Sequence, residues 1–133
     1  MATYAAMVNI MDRGIGKVMN SLSAKGVDDN TLVIFLSDNG ACAENIAGRK
    51  LHNPDVPIGA RGSYIAYDEP WANVSSTPFR YYKKNTYEGG SATSFIAHWP
   101  KRIQAGQLSH QVGHIIDIMP TLTEIAGATY PSD

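Results

Sequence analysis

One short segment limits what this chain can fold into. Residues Thr31 to Leu36 form a nearly unbroken apolar run rich in β-branched side chains, bounded by Asp28-Asp29-Asn30 and by Ser37-Asp38-Asn39-Gly40. A strand without polar alternation is typical of the centre of a parallel sheet, where both faces are buried. The run therefore predicts a strand that needs neighbours on both sides and layers above and below it.

The remaining elements alternate around this strand. Apolar side chains recur three or four residues apart between Tyr4 and Lys25, which predicts an amphipathic helix that ends at Gly26. A second strand is predicted from Ser94 to Trp99, and a last helix from an N-cap at Asp117 to a stop at Gly127. This order indicates an α/β layer fold.

Two features qualify that plan. Gly14 and Gly16 lie inside the first helix, where we expect them to permit close approach of a neighbouring backbone. Residues 41 to 77 are predicted to be irregular, and long irregular stretches are usually functional or disordered.

A few strands and two helices cannot cover a sheet on both faces, so residues 1–133 are predicted to be a single partial domain.

Composition excludes several classes of function. The 133 residues are 44% hydrophobic, enough for one globular core, and 11 basic against 12 acidic residues give a net charge of -1. The sequence contains no basic stripe, so nucleic acid is not expected as a partner. Cys42 is the single cysteine, which excludes an internal disulfide. No apolar run predicts a membrane span or a signal peptide, and the compartment stays unknown.

The Asp38-Asn39-Gly40 turn is the first candidate site. It would place a carboxylate and an amide oxygen at the carboxyl edge of the sheet, and hard oxygens suit Ca²⁺ or Mg²⁺. The same tripeptide also forms a good tight turn without any ligand. Since Ca²⁺ takes about six to eight oxygen ligands, two side chains would supply only part of the shell.

A second candidate lies between Thr77 and Gly90, where bases, aromatic residues and a glycine pair precede a strand. Lysine is a compact point charge that suits an oxyanion, although a solvated basic loop is the simpler interpretation.

Together these segments resemble the sulfatases of the alkaline-phosphatase-like superfamily. The resemblance rests on the order of the pieces across nearly the whole chain, and residues 72–80 look like the bacterial arylsulfatase branch. The segments that carry it are Thr31–Gly40, Lys83 with Thr86-Tyr87-Glu88-Gly89-Gly90, His98-Trp99-Pro100 and Asp117-Ile118-Met119-Pro120-Thr121. It implies a partial alkaline-phosphatase-like sandwich, with a few strands of a mainly parallel sheet and flanking helices.

The resemblance also implies roles for particular residues. Asp38 and Asn39 would be two ligands of an active-site Ca²⁺, and Lys83 would contact the sulfate group, with Lys84 as the second choice. A divalent cation and a fixed lysine would stabilise the charge that develops when a sulfate ester is hydrolysed. Glu88, Gly89 and Gly90 would shape the turn before the next strand.

The nucleophile of this family is not expected here. Sulfatases make formylglycine from a cysteine in a Cys-x-Pro-Ser-Arg motif, whereas Cys42 is followed by Ala43-Glu44-Asn45-Ile46. We therefore expect Cys42 to be a plain thiol and the chain to be the C-terminal section of a sulfatase, inactive alone. The four histidines inherit no role from the resemblance. His98, His110 and His114 are expected to be structural, whereas His52, in the long loop, could touch a substrate in the complete enzyme.

Two alternatives stay open. The chain could belong to a phosphodiesterase or phosphonate hydrolase of the same superfamily, because sulfate and phosphate esters share geometry and metal needs. It could also be a non-catalytic interaction module that self-associates through exposed apolar surface. The resemblance implies a periplasmic or secreted parent protein, and the particular sulfate ester cannot be chosen from the sequence.

Overall fold

The structure of the chain is a computed structural model that describes residues 2–46 and 51–131. In these residues four helices and two strands follow one another in a mixed α/β arrangement. They are α1 (Ala2–Ala24), β1 (Val33–Leu36), α2 (Asp68–Ser76), α3 (Glu88–Ser91), β2 (Phe95–His98) and α4 (Ile118–Ile125). Two single 3₁₀ turns, Asp28–Asn30 and Ile115–Asp117, precede β1 and α4.

Helix α1 ends as its sequence predicts. Gly26 adopts φ 64°, and the Val27 N–H donates to the Leu22 carbonyl at 3.2 Å, which closes the last turn. The close approach expected at Gly14 and Gly16 is not seen, since no described atom lies within 4 Å of a Cβ built at either position. Within the described part of the chain, no neighbouring element packs against α1 at these two positions.

The two strands pair antiparallel, so the prediction of a mainly parallel sheet is wrong for this pair. Val33 lies opposite His98 and Leu36 lies opposite Phe95. The pairing continues beyond the strands, where the Lys101 N–H donates to the Asp29 carbonyl at 2.8 Å. The chain therefore reverses direction between β1 and β2, and the helices α2 and α3 lie in the connection between them.

Burial in the described residues is slight. Ala72 is the only apolar side chain there that is fully buried, with Ser76 at 9% exposure beside it. Phe35, in the strand predicted to be buried on both faces, remains 39% exposed. The reason is that no described helix packs against the strand pair, so β1 has one neighbour and no covering layer.

Helix α2 lies inside the stretch predicted to be irregular. It packs against α3 and contributes Ala72 and Ser76 to the small buried cluster. Asp117, predicted to cap α4, instead caps the 3₁₀ turn before it. Asp117 Oδ2 accepts from the His114 N–H at 2.8 Å, and His114 Nδ1 accepts from the Ile116 N–H at 3.3 Å. No helix in the described ranges is both long and apolar enough to cross a membrane.

Candidate functional site

The turn after β1 is held by three glycines packed without space between them. The Gly40 N–H donates to the Gly90 carbonyl at 2.9 Å. A Cβ on Gly40 would collide with the Gly89 carbonyl, one on Gly89 with the Tyr81 carbonyl, and one on Gly90 with the Asn85 carbonyl. Glycine is required at these positions because backbone lies where a side chain would begin. Gly89 and Gly90 lie in the short helix α3 (Glu88–Ser91) rather than in a simple turn, and their close contacts with backbone agree with a structural role.

Two hydroxyl groups tie this turn to its neighbours. Ser76 Oγ accepts from the Ala41 N–H at 3.4 Å and donates to the Gly89 carbonyl at 3.2 Å, so one buried hydroxyl joins both halves of the glycine contact. Thr93 Oγ1 donates to the Ser37 carbonyl at 2.8 Å on the other side. The turn between β1 and the following loop is therefore fixed by side-chain as well as backbone hydrogen bonds.

The basic segment is placed against the same turn. The Lys83 N–H donates to the Ala41 carbonyl at 3.0 Å. Around it, the Arg80 guanidinium lies 4.7 Å from the centre of the Tyr81 ring and 4.8 Å from that of Tyr87. Stacking of a cation on two aromatic faces fixes the loop that carries the lysine.

These contacts bring the three predicted site residues together. Asp38, Asn39 and Lys83 all line one cleft of about 560 Å³, a size that suits a small ligand. Lys84, the second choice for the sulfate contact, is not among the residues that line it. Residues from two separate segments of the sequence thus converge on a single concave surface.

The charges around Lys83 include a shared carboxylate. Glu44 Oε1 lies 3.7 Å from Lys83 Nζ and 3.4 Å from Lys84 Nζ. The Lys83 side chain is 40% exposed and that of Lys84 is 71% exposed. Ion pairs this accessible contribute little to stability, so their main effect is on the electrostatic potential near Lys83 in the cleft.

The donor set at Asp38 and Asn39 fits part of a calcium shell. Within the described residues, neither side chain has a hydrogen-bond partner, which leaves a carboxylate and an amide oxygen at the end of β1. No group of three or more His, Cys, Asp or Glu in those residues is arranged to hold a metal ion. The two oxygens could therefore hold Ca²⁺ only together with ligands from elsewhere.

A pair of tyrosines that lines the same cleft, Tyr4 and Tyr67, was missed by the sequence reasoning. The rings of Tyr4 and Tyr67 lie 4.9 Å apart, and Ser75 Oγ donates to the Tyr4 hydroxyl at 3.4 Å. Burial, and then the neighbouring Tyr4, raise the pKa of Tyr67 above its usual value, against smaller opposing hydrogen bonds from the Cys42 backbone and Ser75. No local sequence signal links these residues, because they come from α1 and from the long loop.

The cysteine and the histidines occupy different places. Cys42 is exposed and lines the cleft. His52 Nδ1 accepts from the Tyr64 N–H at 3.2 Å, and His114 caps the turn before α4, so both are hydrogen-bonded structural residues. None of the four histidines lines the described cleft.

The sequence of this chain matches the family model described as Sulfatase over residues 1–128. The chain belongs to the sulfatase family. An arylsulfatase of Klebsiella aerogenes is 36% identical over 139 aligned positions, covering 96% of this chain and 29% of that protein. The human N-acetylgalactosamine-6-sulfatase is 37% identical over 130 positions, covering 98% of this chain and 20% of that sulfatase.

An uncharacterized sulfatase of Schizosaccharomyces pombe is also similar, at 33% identity over 98% of this chain and 26% of its own length. This sulfatase chain thus spans between 20% and 29% of the length of these relatives. That coverage agrees with the prediction that the chain corresponds to a section of a larger sulfatase.

Proposed function

We propose that this chain supplies part of the active site of a calcium-dependent sulfatase that hydrolyses sulfate esters. In this proposal Asp38 and Asn39 are two ligands of the Ca²⁺, and Lys83 contacts the sulfate group. The single observation that supports it best is the convergence of these three side chains on one cleft, although Lys83 comes from a separate segment.

The chemistry of the three residues suits an anionic ester. Lys83 Nζ would bind and orient the sulfate through a charge-assisted hydrogen bond, and its position is fixed because its backbone is tied to Ala41. Asp38 and Asn39 offer oxygen atoms without other partners in the described residues, as a hard cation requires. When bound, Ca²⁺ would supply Lewis-acid stabilisation of the transferred group.

We further propose that the chain is one section of a longer catalytic domain and that the formylglycine nucleophile lies in the remainder. Relatives of which this chain spans only 29% and 20%, and a strand pair that no described helix covers, both support this. The aligned relatives are sulfatases, which favours sulfate over the phosphodiesterase and phosphonate alternatives.

A chimera tests the proposal directly. The 133-residue chain would replace the matching segment of the Klebsiella aerogenes arylsulfatase, and hydrolysis of an aryl sulfate would be measured with calcium present. We expect turnover by the chimera, a loss of at least about a hundredfold with Lys83→Ala or Asp38→Ala, and no turnover by the chain alone.

Matched variants distinguish the site from general damage. Lys101→Ala and Asp12→Asn remove exposed charges outside the cleft, and both should leave the activity of the chimera unchanged. Turnover by the isolated chain would mean that a residue such as Cys42 replaces the expected nucleophile. A folded, active chimera that tolerates Lys83→Ala would remove the role proposed for Lys83.

A further inference from the structure

The lysine of the cleft shares a carboxylate with its neighbour in sequence. Glu44 Oε1 lies 3.7 Å from Lys83 Nζ and 3.4 Å from Lys84 Nζ. The Glu44 side chain is 30% exposed, and Lys83 lines the cleft whereas Lys84 does not. A negative charge therefore lies beside the cation proposed to bind sulfate, and a second cation holds that charge from outside the cleft.

This arrangement acts differently on anions of different charge. A sulfate ester carries one negative charge, whereas released sulfate and a phosphate monoester carry two near and above neutral pH. Because Glu44 is within 4 Å of Lys83 Nζ, an anion in contact with this lysine is also repelled by the carboxylate. The repulsion is proportional to the charge of the anion, so a dianion experiences it twice as strongly.

We infer that Glu44 shifts the charge selectivity of the cleft towards monoanionic sulfate esters, because its carboxylate offsets more of the attraction between Lys83 and a dianion, such as free sulfate or a phosphate monoester, than of that between Lys83 and a monoanion. The inference rests on the proposed function, because it requires Lys83 to contact the sulfate group. Its consequences are easier release of the dianionic product and discrimination against phosphate monoesters.

Lys84 is a positioning residue in this scheme. It is 71% exposed and closer to the shared oxygen than Lys83 is. When Lys83 turns to an incoming anion, Lys84 still holds the Glu44 carboxylate beside the cleft. The Glu44 carboxylate therefore stays beside the cleft when Lys83 moves, because its contact with Lys84 is kept.

A matched pair of probes tests the inference on the arylsulfatase chimera, which supplies the rest of the site. Methyl sulfate and inorganic sulfate share the same oxyanion and differ by one charge. Each would be titrated as a competitive inhibitor of aryl sulfate hydrolysis at a fixed calcium concentration, so that its inhibition constant gives its affinity. Glu44→Gln keeps the shape of the side chain, and we expect it to raise the affinity for methyl sulfate about threefold and that for sulfate about tenfold.

Two comparisons separate charge from structure. Glu124→Gln removes an acidic group on α4, which is not among the residues that line this cleft, and should change neither affinity. The extra gain for sulfate in Glu44→Gln should shrink as ionic strength rises, because an exposed charge is screened by salt. Lys84→Ala should lower the affinity for sulfate more than that for methyl sulfate.

Each result has a defined meaning. If Glu44→Gln, folded by circular dichroism, raises both affinities equally or neither, the inference is wrong while the role of Lys83 stands. If Glu44→Gln does not fold, the ratio of the two affinities in Lys84→Ala decides, and an unchanged ratio overturns the inference. If wild type binds neither anion, or Lys83→Ala binds both as well as wild type does, the proposed function fails as well.

Discussion

The α-carbon of Gly40 faces the carbonyl oxygen of Gly89 so closely that no methyl group fits between them. The backbone N–H of Gly40 also donates to the next carbonyl, that of Gly90, at 2.9 Å. This contact joins the turn that carries Asp38 and Asn39 to the loop that carries Lys83. The positions of the candidate ligands and of the candidate sulfate contact therefore depend on the same backbone approach.

Gly40→Ala should separate the two halves of the site. The added methyl group meets backbone rather than a flexible side chain, so the loops must move apart, and we expect a loss of about 3 kcal/mol or more in the free energy of unfolding. Urea denaturation of the chain, followed by circular dichroism, measures it.

Gly14→Ala is the matched control for that substitution. No described atom lies within 4 Å of a Cβ at Gly14, and the residue is inside α1. Alanine favours a helix interior over glycine by about 1 kcal/mol, so this variant should be more stable than wild type. Equal effects of the two substitutions would show that the Gly40 contact does not hold the site together.

Ser76→Ala should also loosen the turn. Its hydroxyl bonds both the Ala41 N–H and the Gly89 carbonyl, and the residue is 9% exposed. Leaving those two groups without a partner should cost about 1–3 kcal/mol in the free energy of unfolding. Ser91→Ala is the control, because Ser91 is exposed and its hydroxyl bonds only the Tyr87 carbonyl at the start of its own helix. Similar urea midpoints for the two variants would contradict this account.

The local elements of the fold could be predicted from sequence. The helix from Tyr4 to Lys25 and the strands around 31–36 and 94–99 appear within two residues of their predicted ends, because apolar spacing and glycine stops are local signals. Helix α2 was missed because its nine residues include a proline and several polar side chains and lie among other turn signals.

The pairing of the strands and the layout of the site could be predicted only in part. An apolar run does not reveal the direction of its partner, so the antiparallel pairing of β1 with β2 could not be predicted from Thr31–Leu36. The resemblance placed Asp38 and Lys83 in one site, but the Gly40–Gly89 contact and the Tyr4–Tyr67 pair depend on tertiary structure. No spacing in the sequence encodes them.

Tyr67 should make the stability of the chain depend on alkaline pH. Burial and the adjacent Tyr4 raise its pKa in the folded state, so the folded chain holds this proton more tightly than the unfolded chain does. The resulting stability is fully present below the unfolded pKa of about 10 and is lost as pH rises through the folded pKa.

Urea unfolding on both sides of that pH measures the effect. The urea midpoint of wild type should fall relative to that of Tyr67→Phe as pH rises above about 10. Subtracting the tyrosinate absorbance of Tyr67→Phe from that of wild type isolates the signal of Tyr67. This signal should titrate at a higher pH in the folded chain than in urea. A difference spectrum that titrates identically in both states would contradict the prediction.

Exposed apolar side chains on α1 should make the isolated chain associate with itself. Met7, Ile10, Met11 and Val18 are 63%, 65%, 48% and 57% exposed. Monomeric proteins rarely leave apolar patches of this kind uncovered. We expect the chain to bind a hydrophobic dye and to sediment as larger species as its concentration rises. Met7→Gln combined with Ile10→Gln should reduce both signals.

Lys17→Gln is the control, since it changes an exposed polar residue on the same helix and removes no apolar area. It should leave dye binding and sedimentation unchanged. Inclusion of the chain in the arylsulfatase chimera should suppress dye binding, because the rest of a sulfatase domain would then cover the face that the described residues leave open. A chain that stays monomeric and dye-free at high concentration would show that α1 needs no such cover.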